Sequence, residues 1–363
     1  MTIDRRSFIR SAAMSVGAAV TPNFLGRKDL LKQSDKVLGI AVVGLGSYAG
    51  GRVAPALQET EHIKLRGLVT GSPDKAKKWG EQYNIPSENI YNYDTFDRIA
   101  NNDQIDVIYV VLPNAMHAEY TIRAARAGKH VICEKPMATS VKDCEAMIKA
   151  CEDNKVKLQI GYRLLYEPNT QELYRYAHEK VLGEVRAIES SNAFYAGEGW
   201  DNWRFHGELS GGGPLMDMGV YSLHAVRHVM NDEPMAITAQ SYNVRPKFKT
   251  IEETILWQMH FSSGVIANCM SSYSARVGDI QVHADQGVFK LDSAFGYGPV
   301  KMYANRDFLN IRHTNHQAAQ MDAFAKNIMN DTPVIANGME GLNDMKVIEA
   351  IYQAAKSGKK VMV

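Results

Sequence analysis

The stretch GKHVICEKPMATS, Gly128 to Ser140, runs an apolar, strand-like segment directly into Glu134-Lys135-Pro136. Charged side chains are seldom left inside a protein unless they are paired or take part in chemistry. A partly desolvated ammonium at this position can hydrogen-bond a substrate oxygen. It can also stabilise negative charge as an alcohol loses its proton or a carbonyl gains hydride. A second group stands in GGGPLMDMGVYSLHAVRHV, where Asp217 and Tyr221 are four apart and so share one face of a helix. Leu215, Met218 and Leu223 serve its packing side, and Gly211-Gly212-Gly213 would let backbone and substrate come close. Beside Lys135, the Tyr221 phenol would have its pKa pulled below ~10 and act as general acid and base. Taken alone, such an Asp and Tyr are more often a helix cap and a packed aromatic; only the combination with Lys135 favours the catalytic reading.

These groups need a scaffold, and the chain supplies one from Lys36 onward. KVLGIAVVGLG, IKLRGLVTG, QIDVIYVVLP and KHVICEKP are continuous apolar runs separated by amphipathic helical ones. That pattern predicts an α/β fold with a parallel sheet covered on both faces, a Rossmann-type half. Directly after the first strand comes Gly44-x-Gly46-x-x-Ala49, with Ser47 and Tyr48 inside it. The first glycine allows the tight turn, the second lets a pyrophosphate approach the backbone, and the small third position lets the helix pack. At the end of the second strand Thr70, Gly71 and Ser72 stand where an NAD site carries an acid, and Lys75 follows. Hydroxyls with a cation suit a 2′-phosphate, so NADP is expected rather than NAD. Ligands of such sheets sit outside the carboxyl ends of the strands, which turns Leu112, Pro113, Asn114, His117, Glu134 and Lys135 toward the cofactor cleft.

Beyond about Gln159 strand-like runs follow one another, and Ser262-Ser263-Gly264 marks a hairpin turn. They predict an α+β second half with a large open, mostly antiparallel sheet, interrupted by a helix from about Pro214 to Met230 and closed by two C-terminal helices. The expected division is an export signal and arm over 1–35, a nucleotide-binding domain over 36–158, and a substrate and oligomerisation domain over 159–363. An open sheet needs its outer face covered, so a homodimer or homotetramer is expected.

With 363 residues, of which 45% are hydrophobic, the chain has the size of about two globular domains. Its 41 basic and 40 acidic residues leave no global field for nucleic acid or an anionic membrane, so a small-molecule partner is expected. Cys133, Cys144, Cys151 and Cys269 show no zinc or redox spacing, and no metal is expected; the four read as packing thiols. Arg5-Arg6 ahead of a short small-residue stretch resembles a twin-arginine signal, which predicts export of the folded protein to the periplasm without a membrane anchor.

From about Val37 to the C-terminus the chain resembles the Gfo/Idh/MocA oxidoreductases, and within them the glucose–fructose oxidoreductase group. The resemblance rests on VGLGSYA, VTGSPDKA, LPNAMHAE, GKHVICEKPMATS, IGYRLLYEPN, WRFHGELSGGGPLMDMGVY and EGLNDMKVIEAIYQAA. It implies Lys135 and Tyr221 as a catalytic pair with Asp217 orienting a sugar. It further implies that Tyr48, Ser72, Lys75, Tyr93, Arg163, Trp203 and Arg204 line the nucleotide pocket, with Tyr166 on the substrate side. The implied activity is hydride transfer between an aldose C1 and tightly held NADP, with a second sugar reoxidising it. A dehydrogenase with exchangeable cofactor, a nucleotide-dependent glycosidase and a non-catalytic sugar sensor are the alternatives. The segment from 21 to 36 lacks the group's proline-rich arm, and the loop NAFYAGEGWDN is particular to this chain.

Overall fold

The computed structural model describes residues 36–199 and 201–363; the twin-arginine segment lies outside them. Residues 36–363 form one compact unit. Six strands, β1 (Leu38–Val43), β2 (Ile63–Val69), β3 (Ile90–Tyr91), β4 (Val107–Val110), β5 (His130–Cys133) and β6 (Leu158–Ile160), make a wholly parallel sheet in the order β3-β2-β1-β4-β5-β6. Alternate residues of these strands enter two different cores, because both faces are covered. Ile40, Val42, Val107, Tyr109 and Ile132 pack under α1 (Ala54–Glu59) on one side. Ala41, Val43, Ile108, Val110 and Cys133 pack under α3 (His117–Arg126) and α4 (Val141–Asp153) on the other. The helix α2 (Pro73–Tyr83) follows β2.

The order of strands reverses between β1 and β4, and the crevice at that reversal is where a doubly wound sheet takes its ligand. The same face receives the ends of β4 and β5, and hence Pro113, Asn114, Glu134 and Lys135. The Lys135–Pro136 peptide bond is cis.

The second half adds a helix to what the sequence predicts. Before its sheet comes a helix, α5 (Pro168–His178), whose start is capped by Glu167 accepting from the Thr170 N–H at 2.7 Å. The sheet follows as β7 (Val185–Ala193), β8 (Ala236–Tyr242), β9 (Thr254–His260), β10 (Ile266–Ser272), β11 (Val277–Ala284), β12 (Gly287–Asp292), β13 (Lys301–Ala304), β14 (Asp307–Leu309) and β15 (Val361–Met362). All its pairings are antiparallel except β7 with β10. β9 and β10 form the hairpin that Ser262-Ser263-Gly264 forecast, with Gly264 at φ +86°.

Between β7 and β8 lie the single turn α6 (Gly207–Ser210), a π-helical turn over Leu215–Gly219, and α7 (Val220–Met230), buried almost throughout. The chain ends with α8 (His316–Met329) and α9 (Gly338–Ser357). β6 runs past the expected boundary at 158, and α8 returns to place Met321, Phe324 and Ala325 in the core beneath β1. The two halves are thus interleaved by the packing rather than cut at one position. All four cysteines are free and buried, as packing thiols should be.

Candidate active site

One cleft of about 860 Å³ runs from the β1–α1 turn to α7. Gly44, Gly46, Ser47, Tyr48, Ala49, Thr70, Lys75, Tyr93, Leu112, Pro113, Asn114, His117, Glu134, Lys135, Arg163, Trp203, Arg204, Asp217 and Tyr221 all line it. Gly44 holds φ +92°, and a side chain there would meet the Val111 carbonyl oxygen at 2.3 Å, so only glycine makes this turn. Gly46 instead faces open space, with nothing within 4 Å of where a Cβ would stand.

At the other end, the Lys135 ammonium donates to the Asp217 carbonyl at 2.5 Å, lies 3.9 Å from Asp217 Oδ1, and sits 4.5 Å above the Tyr221 ring. The Asp217 carboxylate accepts from Arg204 Nε at 3.0 Å and from Tyr273 Oη at 3.2 Å, while Trp203 stacks beneath the Arg204 guanidinium at 4.5 Å. Burial alone would raise the Asp217 pKa, but Arg204 and Lys135 hold it below its usual range. Burial pushes the Lys135 ammonium down, against the pull of Asp217 and Glu134. Glu134 is itself buried, accepts from Tyr109 Oη at 2.6 Å, and has its pKa raised by that burial.

The Tyr221 phenol departs from expectation. Its pKa is raised, because burial outweighs the nearby Arg163 guanidinium. Lys135 is over the ring face, and the cation that opposes the rise is Arg163, 5.0 Å from the ring. Spacing along the sequence brought a cation and a phenol together but could not weigh desolvation against charge.

Four further expectations are corrected. Ser72 does not line the cleft; its hydroxyl caps α2 by accepting from the Lys75 N–H at 3.4 Å. Gly71 lies outside it too, and its missing side chain lets the Tyr93 ring close to 3.1 Å of the Cβ position. Tyr166 turns away and donates to Gln159 Oε1 at 2.9 Å. His117 borders the cleft, yet its ring nitrogens face the Pro136 and Leu112 carbonyls at 2.8 and 2.9 Å, clamping the loops after β4 and β5. The triple glycine serves the fold rather than a substrate. A side chain on Gly212 would strike Tyr352 Oη at 2.0 Å, and one on Gly213 the Glu252 carbonyl oxygen at 2.2 Å. Glu252 accepts from the Gly213 and Leu215 N–H groups and so anchors the π-helical turn that carries Asp217.

Tyr297, Tyr273 and Arg52 are site residues that sequence reasoning missed. Arg52 and Arg163 lie 4.2 and 4.5 Å from the Tyr297 ring, which also neighbours Tyr48. Arg163 fixes the loop carrying Tyr297 by donating to the carbonyls of Phe295 and Gly296, each at 2.8 Å. The only local signal was an aromatic flanked by glycines in SAFGYGPV.

A strand-reversal crevice with a glycine turn at one end and a Lys–Asp–Tyr group at the other defines a nicotinamide-dependent oxidoreductase. The chain belongs to the Gfo/Idh/MocA oxidoreductase family: residues 38–162 match its NAD-binding Rossmann fold and residues 170–290 its C-terminal domain. It is 28% identical over 355 residues to an NADP(+) D-xylose 1-dehydrogenase of Haloarcula marismortui, covering 94% of this chain and 98% of that one. A second D-xylose 1-dehydrogenase (NADP(+)), from Haloferax volcanii, is 26% identical over 90% of this chain and 98% of its own. The crystal structure of an aldose–aldose oxidoreductase from Caulobacter crescentus, complexed with glycerol, superimposes with TM-score 0.87 at 41% identity, covering 90% of this chain and all of that one.

The residues present fit a dinucleotide. Gly46 opens onto the cleft, and Tyr48, which borders it, has its hydroxyl buried without a hydrogen-bond partner. Gly44→Ala is therefore expected to cost on the order of 1–3 kcal/mol through left-handed strain and overlap with Val111. It should also weaken nucleotide affinity by roughly tenfold or more, since ~1.4 kcal/mol suffices for that. Thermal unfolding and fluorescence titration with NADPH read the two effects.

Proposed function

We propose that the chain is an NADP(H)-dependent sugar oxidoreductase that oxidises an aldose at C1 and keeps its nucleotide through a cycle closed by a second sugar. The observation that carries this reading is the convergence of Lys135, Asp217 and Tyr221 at one end of a cleft whose other end is the glycine turn. NADP is favoured because β2 is followed by Thr70 rather than an acid, Asp74 is exposed, and Lys75 borders the cleft. The names of the two xylose dehydrogenases point the same way, and the aldose–aldose oxidoreductase supports the two-sugar cycle.

When bound, the nicotinamide supplies the carbon that takes the hydride leaving C1. Lys135 would hold the C1 oxygen through its ammonium and stabilise charge as the O–H bond is lost. Tyr221 would exchange the proton at its Oη, as a phenol ready to donate in the reductive direction and as a phenolate in the oxidative one. Asp217, already bound by Arg204 and Tyr273, keeps Lys135 in place through its carbonyl and its charge.

Export through the Arg5-Arg6 segment would give the retained nucleotide a purpose, since a folded protein can carry its ligand across a membrane. The test is a steady-state assay with pairs of sugars and no added nucleotide, alongside the absorbance spectrum of the purified full chain. Turnover without added cofactor, and a nicotinamide band that appears or bleaches with one sugar, is the expected result. Strict dependence on added NADP would instead make it a dehydrogenase with exchangeable cofactor.

A further inference from the structure

Away from the cleft, α7 and α9 bring together two histidines and a glutamate that the hydride chemistry does not use. His224 and His228 are four apart on α7 and so share a face of that helix. Glu340 reaches them from the first turn of α9. A ring nitrogen of each histidine and a Glu340 carboxylate oxygen lie within 4.8 Å of one another. His228 Nε2 and Glu340 Oε2 are 3.1 Å apart, close to the roughly 3.3 Å between ligands of a tetrahedral ion with bonds of ~2.0–2.1 Å.

An independent feature points to a ligand. His224 is only 3% exposed, and its Nε2 has no hydrogen-bond partner. Its Nδ1 faces Asp344 Oδ2 at 2.9 Å, which places the proton on Nδ1 and leaves the lone pair on Nε2. A carboxylate behind a histidine in this way is the arrangement that orients metal-binding imidazoles. The rings are also fixed, with Tyr162 stacked on His224 at 3.9 Å and Tyr174 on His228 at 5.3 Å.

The site is rich in carboxylates: Glu340, Asp344 and Glu233 share one guanidinium, Arg227. Arg227 approaches Glu340 Oε2 at 3.5 Å but is bound more closely by Glu233 and Asp344, which leaves Glu340 free to turn to an ion. The His228 and Glu340 side chains are 23% and 24% exposed, which gives an ion a way in.

We propose that His224, His228 and Glu340 bind a divalent transition-metal ion of the zinc class, with water completing the shell, and that the ion ties α7 to α9. Two imidazoles and one carboxylate suit zinc, cobalt, nickel or copper rather than magnesium or calcium. The sequence hid the site because its third ligand stands 112 positions beyond His228.

The test uses the full chain without a polyhistidine tag, stripped with a chelator and titrated with cobalt(II), then zinc. One cobalt per chain should give a saturable visible d–d band that zinc displaces, and zinc should raise the melting temperature. Glu340→Gln and His228→Gln, both at partly exposed positions, should each weaken uptake by roughly tenfold or more and abolish the zinc-induced rise. If one variant fails to fold without metal, the other carries the test. Absence of a one-equivalent band, or uptake unchanged in a folded variant, overturns the proposal. The four thiols cannot mimic the result, being buried, with Cys144 and Cys151 pushed up to about 12.

Discussion

Lys135→Met is expected to lower kcat/KM for aldose oxidation by about 10²–10³, the usual cost of removing one preorganised donor from a developing charge. Nucleotide affinity should stay unchanged. The Lys135 side chain is mostly buried and its ammonium lies 4.5 Å over the Tyr221 ring, so methionine keeps the stem and deletes only the charge. Removing a buried cation commonly exposes its partner, but Asp217 would retain Arg204 and Tyr273 and so would not be left as an unpaired buried carboxylate. The loss should therefore fall on kcat rather than on folding. Rate measurements, a fluorescence titration with NADPH and thermal unfolding separate the three quantities. A rate loss below tenfold with intact folding would remove Lys135 from the chemistry.

The scaffold of this site was legible in the sequence because it is written in local patterns. β1, β4 and β5 are short apolar runs, and the glycine turn follows β1 within a few positions. Glu134-Lys135 could be placed at a strand end for the same reason. What escaped depends on contacts between distant segments. The helix α5 opens with Pro-Asn-Thr, residues that read as a turn, and is made stable by Glu167 as its cap and by burial of Leu173 and Ala177. α8 belongs with the first sheet because Met321 and Phe324 pack there, a fact its own amphipathic pattern does not encode. Tyr297 enters the site on a loop held by Arg163, 134 positions earlier by number. The triple glycine was read as room for substrate, whereas Tyr352 and Glu252 fill that space. In each case residue type was informative and the identity of the neighbour was not.

The sharpest consequence of the geometry concerns Tyr221, where the sequence suggested a lowered pKa and burial reverses the sign. A phenol raised above its ordinary ~10 remains protonated throughout the neutral range. Under the proposed mechanism it is already the acid that donates in the reductive direction, so that rate should be flat near neutrality. In the oxidative direction the phenolate is the active form, and its fraction grows tenfold per pH unit below the pKa. Oxidation should therefore climb through about pH 9 without a plateau, as for any base working below its pKa. Tyr221→Phe removes the hydroxyl and keeps the ring, including its contacts with Lys135, Arg163 and Phe295. The variant should lose about 10²–10⁴ in kcat and show an oxidative profile without the climb. If both groups act on one oxygen, as proposed, Lys135→Met and Tyr221→Phe together should cost less than the product of their separate effects. A wild-type plateau near neutral pH, or a climb that persists in Tyr221→Phe, would assign the proton to another group.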